Sequence, residues 1–74
     1  MKTVQISLNS IDKVKSFVND ITKFDYDFDL VSGRYVIDAK SIMGIFSLDL
    51  SKPIELHAHT DNAKEFLDAI DKFI

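Results

Sequence analysis

The sequence contains no cysteine and no tryptophan, and its 74 residues include only one proline and two glycines. Without cysteine there is no disulfide framework and no thiolate chemistry. No apolar run approaches the roughly 20 residues that a membrane-spanning helix needs, and no charged segment followed by an apolar one predicts a signal peptide. We therefore expect a cytoplasmic protein without a membrane partner.

An excess of acidic over basic residues disfavours nucleic acid as a partner. Twelve acidic and nine basic residues give a net charge of -3, and the lysines are scattered along the chain rather than clustered. Such a chain repels a phosphate backbone. Hydrophobic residues make up 46% of the sequence and include six phenylalanines. We therefore expect a hydrophobic core that needs no disulfide bonds. With no linker-like segment, residues 1–74 are expected to form one domain.

The first segment predicts a strand followed by a helix. Apolar and polar residues alternate over residues 2–8, as in a half-buried strand. Apolar residues then recur at helical steps of three and four, namely at Ile11, Val14, Phe17, Val18 and Ile21. Asn9 or Ser10 is expected to cap this helix, which ends at about Thr22.

The middle of the chain predicts a β-hairpin. The stretch "FDYDFDL", residues 24–30, predicts a strand with aromatic residues on one face and Asp25, Asp27 and Asp29 on the other. Ser32-Gly33 is a tight-turn signal, and "RYVIDA", residues 34–39, supplies the second strand. A short helix is expected to start near Ser41, where glycine at position 44 predicts a close approach to a neighbouring element.

The last third predicts one more strand and one more helix. "IELHAHT", residues 54–60, alternates inward apolar residues with outward Glu55, His57 and His59. The final helix has an apolar stripe of Ala63, Phe66, Leu67, Ile70 and Phe73 or Ile74, and a cap at Thr60, Asp61 or Asn62. The order βαββαβα, with one apolar face on each element, favours an α/β (α+β) open-faced sandwich with helices on one side of a sheet.

Two segments carry a resemblance to a known family. With "KSIMGIFSL" at residues 40–48 and "KFDYDFDL" at 23–30, the chain resembles HPr, the histidine phosphocarrier of the bacterial sugar phosphotransferase system, and its Crh-type relatives. The resemblance spans nearly the full length. It implies a four-stranded antiparallel sheet in the order 1-4-2-3 under three helices, and a phosphate acceptor or regulator rather than an enzyme.

The family's phosphocarrier motif does not accompany this resemblance. In HPr a G-(I/L)-H-(A/T)-R-P-A motif at the start of the first helix supplies the phosphorylated histidine and an arginine. An alignment without gaps places Ser10 at the histidine position, Asp12 at the arginine position and Lys13 at the proline position. The resemblance thus implies a regulatory or interaction domain that has lost histidine phosphotransfer. The alternative is a working phosphocarrier whose phosphorylated residue lies elsewhere.

Ser41 matches the serine that HPr kinase phosphorylates in the family, which turns HPr into a corepressor for a transcriptional regulator. The alternative is that Ser41 only caps the helix. The resemblance further implies an apolar docking patch formed by Ile42, Met43, Ile45 and Phe46. Four large apolar residues on two turns cannot all face one core stripe, so we expect at least one, Met43, to be exposed. The alternative is that all four pack under a neighbouring loop.

Glu55, His57 and His59 offer a further candidate site, a metal- or pH-responsive face of the sheet beside the three aspartates. The simpler interpretation is an ordinary charged face that keeps an open sheet soluble. We expect no cofactor. The expected partners are proteins, with phosphotransferase-system enzymes, HPr kinase and a transcriptional regulator as candidates, and the chain itself is expected to be a monomer or weak dimer.

Overall fold

Strands and helices alternate along the chain in the predicted order βαββαβα. The computed structural model describes the backbone of residues 2–74 and all of their side chains except that of Ala63, so the prediction for this side chain lies outside the described residues. The elements are β1 (Lys2–Ile6), α1 (Ile11–Ile21), β2 (Phe28–Ser32), β3 (Tyr35–Asp38), α2 (Ile42–Phe46), β4 (Ile54–Ala58) and α3 (Ala63–Ile70), followed by a 3₁₀ turn over Asp71–Phe73. The sheet has the order β1-β4-β2-β3 with every neighbouring pair antiparallel, which confirms the predicted open-faced sandwich.

The core lies between the sheet and the helices. In β4, Leu56 pairs with Val4 of β1 on one side and with Leu30 of β2 on the other, and its side chain is fully buried. The inward residues of β4 alternate with exposed or half-buried ones, as the sequence predicts. The largest fully buried side chains are Phe17, Phe28, Phe66, Ile6, Leu8, Ile21, Leu30, Ile45, Ile54, Leu56, Ile70 and Val14.

The strand predicted over residues 24–30 begins four residues later than expected. Residues 24–26 form turns and bends, so Asp25 and Asp27 precede β2 and only Asp29 lies on it. Aromatic stacking replaces strand pairing there, since the rings of Phe24 and Tyr26 stack with centroids 5.6 Å apart. The Nζ of Lys40 also donates a hydrogen bond of 2.8 Å to the carbonyl of Phe24.

Tyr26 is the most unusual member of this aromatic segment. Its hydroxyl is buried and has no hydrogen-bond partner among the described residues. Burial, and to a smaller extent the Glu65 carboxylate, raise the pKa of Tyr26 above its ordinary value. The segment is therefore held by ring packing and by Lys40 rather than by the hydroxyl.

The hairpin between β2 and β3 is confirmed, with its turn one residue later than predicted. The two strands pair from Asp29 with Asp38 to Ser32 with Tyr35, which leaves Gly33 and Arg34 as the turn. Gly33 has a φ of 59°, in the left-handed region that glycine adopts without strain. A glycine with positive φ at the first turn position is typical of a two-residue hairpin.

The C-terminal segment consists of α3 and the 3₁₀ turn that follows it. Asn62 caps α3 without a side-chain hydrogen bond, and the helix ends at Ile70. Phe73 is buried edge-to-face against Phe17, with ring centroids 5.5 Å apart, whereas Ile74 is exposed. Among residues 2–74, no helix combines the length and apolar character needed to cross a membrane.

Candidate docking and phosphorylation site

The first helix begins at a serine that caps it. Ser10 is the N-cap of α1, and its Oγ accepts a hydrogen bond of 3.1 Å from the amide of Lys13. Asp12 lies in the first turn, where a carboxylate is favoured by the free amides of a helix start. The start of α1 is thus complete as a structural cap.

The second helix also begins at a capping serine. Ser41 is exposed, and its Oγ accepts a hydrogen bond of 3.3 Å from the amide of Gly44. A Cβ at position 44 would lie 3.3 Å from this Oγ and 3.4 Å from the Cδ1 of Ile37. Gly44 therefore permits a close approach of α2 to Ser41 and to β3, which is the kind of contact that the sequence predicts.

The four apolar residues of α2 divide between core and surface. Ile45 is fully buried, so its inclusion in an exposed patch was wrong. Met43 is 77% exposed and Phe46 is 40% exposed, while Ile42 is partly buried against the core. The five-residue helix presents its side chains in two directions, and Ile45 points inward while Met43 points to solvent. The expected exposure of Met43 is confirmed, and its role in docking stays a prediction.

A groove connects the start of α1 with the end of α2. It is lined by Asn9, Ser10, Ile11, Phe46, Leu50 and Ser51, so it joins the N-terminus of α1 to the C-terminus of α2. Ile11, which the sequence assigns to the core stripe of α1, is exposed. A helical side chain covers the turn N-terminal to its own position, and Ile11 is the first residue of its helix. Of the six groove residues, the sequence patterns identify only Ser10 and Phe46 as part of a site, and they miss the apolar residues Ile11 and Leu50.

The loop at the edge of this groove is held by a carboxylate. Asp49 accepts hydrogen bonds from the Oγ of Ser51 at 2.6 Å and from its amide at 3.1 Å. These two bonds lower the pKa of Asp49, with a smaller contribution in the same direction from Lys52 and a small opposing one from desolvation. Ser51 therefore lines the groove in an orientation that depends on the charge of Asp49.

We expect Ser51→Ala to return the pKa of Asp49 towards its ordinary value, because the variant removes the hydroxyl that contributes most to the shift. Since the folded-state pKa is the lower one, the stability that these bonds contribute is present above the unfolded-state pKa and is lost as the pH falls through the folded-state pKa. Carboxyl-detected NMR titration measures the pKa directly. Ser47→Ala is the matched control, because the Ser47 hydroxyl bonds to the Gly44 carbonyl instead. An unchanged pKa in Ser51→Ala would contradict this account.

The candidate metal ligands form two separate pairs on the open face of the sheet. The Nε2 of His57 lies 3.3 Å from the Oε2 of Glu55, and the Nε2 of His59, just beyond β4, lies 2.7 Å from the Oδ2 of Asp29. Within the described part of the chain, no group of three or more such side chains has the geometry of a metal site. The structure therefore brings the histidines beside one of the three predicted aspartates, Asp29, but assembles no metal centre from them.

A scan against protein-family models matches residues 13–74 to the family described as the phosphotransferase-system HPr component phosphorylation site. The chain belongs to the HPr family. This confirms the resemblance carried by "KSIMGIFSL". HPr proteins are phosphocarriers and not enzymes, and they interact with phosphotransferase-system enzymes and kinases.

Solved structures of HPr proteins have the same fold. HPr-C-His from Thermoanaerobacter tengcongensis is 29% identical with a TM-score of 0.80, covering 97% of this chain and 89% of its own. The phosphocarrier protein HPr of Bacillus anthracis is also 29% identical, with a TM-score of 0.72 over 99% of this chain and 93% of its own. The histidine-containing phosphocarrier protein of Mycoplasma, at 14% identity and a TM-score of 0.77 over 96% and 89% of the two chains, shares the fold. A search of curated proteins finds no match.

Proposed function

We propose that this HPr-family chain is a regulatory or protein-interaction protein that has lost histidine phosphotransfer. The observation that carries the proposal is the start of α1, where the N-cap side chain is the hydroxyl of Ser10 and not an imidazole. The whole sequence contains two histidines, His57 and His59, and neither precedes α1. The match to the family model begins at Lys13, after the positions of Ser10 and Asp12.

The chemistry of this helix start supports the proposal. A phosphoserine ester lacks the high transfer potential of an N-phosphorylated imidazole, so Ser10 would not pass phosphate on. Asp12 would repel an incoming phosphate where an arginine would form charge-assisted hydrogen bonds. The Ser10 Oγ is also already engaged by the amide of Lys13.

The two histidines are poorly placed to take over the carrier role. His57 lies on β4 and His59 directly after it, and both share the open face of the sheet with Glu55 and Asp29. Carboxylates at 3.3 Å and 2.7 Å from the imidazole nitrogens disfavour an approaching phosphate dianion.

We expect no acid-labile phosphate on the chain after incubation with the first enzyme of the phosphotransferase system and phosphoenolpyruvate. An HPr protein that carries the histidine motif is the positive control in the same reaction. Mass spectrometry under neutral and acidic conditions distinguishes a phosphohistidine from a phosphoserine. The alternative function, which membership of the HPr family favours, is that of a working phosphocarrier. Acid-labile phosphate on His57 or His59 would establish it.

Ser41 and the apolar residues beside it are the proposed regulatory surface. Ser41 is exposed, so a kinase can reach it, and its hydroxyl lies at the free amides that begin α2. Phosphorylation there would add about −1.5 to −2 charges at pH 7, next to exposed Met43 and Phe46. A phosphate at this place would change the charge of an apolar docking surface, which is a means of selecting between protein partners such as phosphotransferase-system enzymes and a transcriptional regulator.

We expect HPr kinase with ATP to phosphorylate the chain at Ser41 alone, and Ser41→Ala to remain unmodified. Ser10→Ala is the matched control, because it removes the other helix-capping hydroxyl and should leave the reaction intact. Peptide mapping by mass spectrometry locates the phosphate. If the wild-type protein stays unmodified, Ser41 acts only as a helix cap and the regulatory part of the proposal is wrong. A cytoplasmic location remains a prediction that fits such partners.

A further inference from the structure

The outer edge of β3 offers unpaired backbone groups. Among the described residues 2–74, β3 is the last strand of the sheet and pairs only with β2. The amide of Ala39 donates to the carbonyl of Phe28 at 2.9 Å, which shows that odd-numbered residues here direct their backbone groups towards β2. Because an antiparallel pair alternates, the amides of Val36 and Asp38 and the carbonyl of Val36 point away from β2. Such an edge is a template for another strand.

The side chains along this edge are exposed and include one charge of each sign. Tyr35 is 68% exposed and Val36 is 64% exposed. Asp38 follows Val36 by two residues in β3, so strand alternation places both on the open face. Arg34, the second residue of the turn, is exposed and directly precedes β3. Among residues 2–74, neither Arg34 nor Asp38 takes part in a salt bridge.

Asp38 is also opposed by a like charge within the chain. It pairs directly with Asp29 across β2 and β3, an arrangement that destabilises a sheet when nothing neutralises it. Asp29 is neighboured by His59, whereas the Oδ1 of Asp38 only accepts a hydrogen bond of 2.9 Å from the amide of Lys40. A cation supplied from outside the chain would therefore find an unpaired carboxylate at this edge.

We propose that β3 pairs with β3 of a second copy of this chain, in antiparallel register centred on Val36, to form one continuous eight-stranded sheet. In this register Val36 lies opposite Val36 of the second copy, and Arg34 lies opposite Asp38 of the second copy. The two-fold symmetry repeats the Arg34–Asp38 pair, so both charges of each chain are matched. On the helix face, exposed Tyr35 lies opposite partly buried Ile37 of the second copy.

The backbone supports the same register. The amide and carbonyl of Val36 exchange two hydrogen bonds with those of the second copy, since both point outward. The Asp38 carbonyl is already occupied by the Ser41 amide at 3.0 Å, so the register gains no hydrogen bond there from the Arg34 amide of the second copy. With only four residues in the strand, the dimer is weak, and its two ion pairs make it weaker at high salt.

Sedimentation equilibrium over a concentration series that reaches the millimolar range tests this pairing. We expect the average mass of the wild type to rise from 8.4 kDa towards twice that value, and the rise to diminish with added salt. Arg34→Asp and Asp38→Arg should each weaken self-association by roughly tenfold or more, because each places like charges opposite one another. An equimolar mixture of the two variants restores both ion pairs and should associate again.

Two further variants separate this pairing from general charge effects and from misfolding. Lys64→Asp, at an exposed position in the first turn of α3, has the same net charge as Arg34→Asp and should self-associate as the wild type does. Val36→Pro removes the outward amide at the centre of the pairing and should abolish association, with circular dichroism showing that the fold remains. A wild type that stays monomeric in the millimolar range overturns the proposal, as does association that Arg34→Asp, Asp38→Arg and Val36→Pro leave unchanged. Binding of an unrelated extended peptide at β3 without self-association likewise overturns it.

Discussion

Phe28→Ala is expected to lower the free energy of unfolding by about 3–5 kcal/mol, the range for removing a large aromatic side chain from a packed core. Phe28 is fully buried and begins β2. Its ring lies 5.6 Å from that of Phe66 in α3 and 5.1 Å from that of Tyr26, and the Nζ of Lys40 lies 5.9 Å from its centroid. The variant therefore loosens the contacts of the sheet with α3, with the aromatic segment and with the start of α2 at once.

The matched control is Phe46→Ala, the same chemical change at a surface position. Phe46 is 40% exposed at the end of α2, so its removal should cost only about 1 kcal/mol. Urea denaturation followed by circular dichroism measures both variants. In a domain of this size the total stability lies near the lower end of about 5–15 kcal/mol, so Phe28→Ala should retain about 2 kcal/mol or less. Equal losses in the two variants would contradict the division between core and docking surface.

The fold was predictable from sequence because most elements have a single clear periodicity. The inward residues of β4, Ile54, Leu56 and Ala58, alternate without exception, and all three are buried. In α1 the helical stripe and the capping serine agree on where the helix begins. Such agreement between pattern and cap leaves few alternatives for the backbone.

The segment before β2 was not predictable from pattern alone. The alternation of aromatic residues with aspartate over residues 24–30 fits a strand, yet residues 24–26 turn so that Phe24 stacks on Tyr26. This conformation depends on Lys40, which binds the Phe24 carbonyl from 16 residues further along the chain. A local pattern carries no information about such a long-range contact, so tertiary structure overrides the strand tendency.

The sequence predicts which serines cap the helices of the site better than it predicts which side chains of the site are exposed. Ser10 and Ser41 have the predicted capping roles because a cap depends on local backbone geometry. Exposure depends instead on where a helix ends relative to the sheet. For this reason Ile11, at the first turn of α1, belongs to the groove and not to the core. The groove as a whole joins residues that lie about 40 positions apart, which no helical or strand period connects.

Ile45→Ala and Met43→Ala are expected to separate the structural and functional halves of α2. Ile45 is fully buried, so its truncation should lower the free energy of unfolding by about 2–5 kcal/mol. Met43 is 77% exposed, and Met43→Ala should change the stability by no more than about 0.5 kcal/mol. Urea denaturation measures this difference, and comparable losses for the two variants would contradict the burial of Ile45.

Phosphorylation of Ser41 by HPr kinase gives the functional readout for the same helix. If the exposed side of α2 is a docking surface, Met43→Asp should raise the KM for the protein substrate by roughly tenfold, because it places a desolvated charge in an apolar contact. The kcat should change less, since the Ser41 hydroxyl and its neighbour Gly44 are untouched. Lys15→Asp, which introduces an aspartate at an exposed position of α1, should leave the KM unaltered. An unaltered KM in Met43→Asp would mean that the kinase reaches Ser41 without contacting Met43, and would leave Ile11, Phe46 and Leu50 in the groove as the remaining apolar contacts.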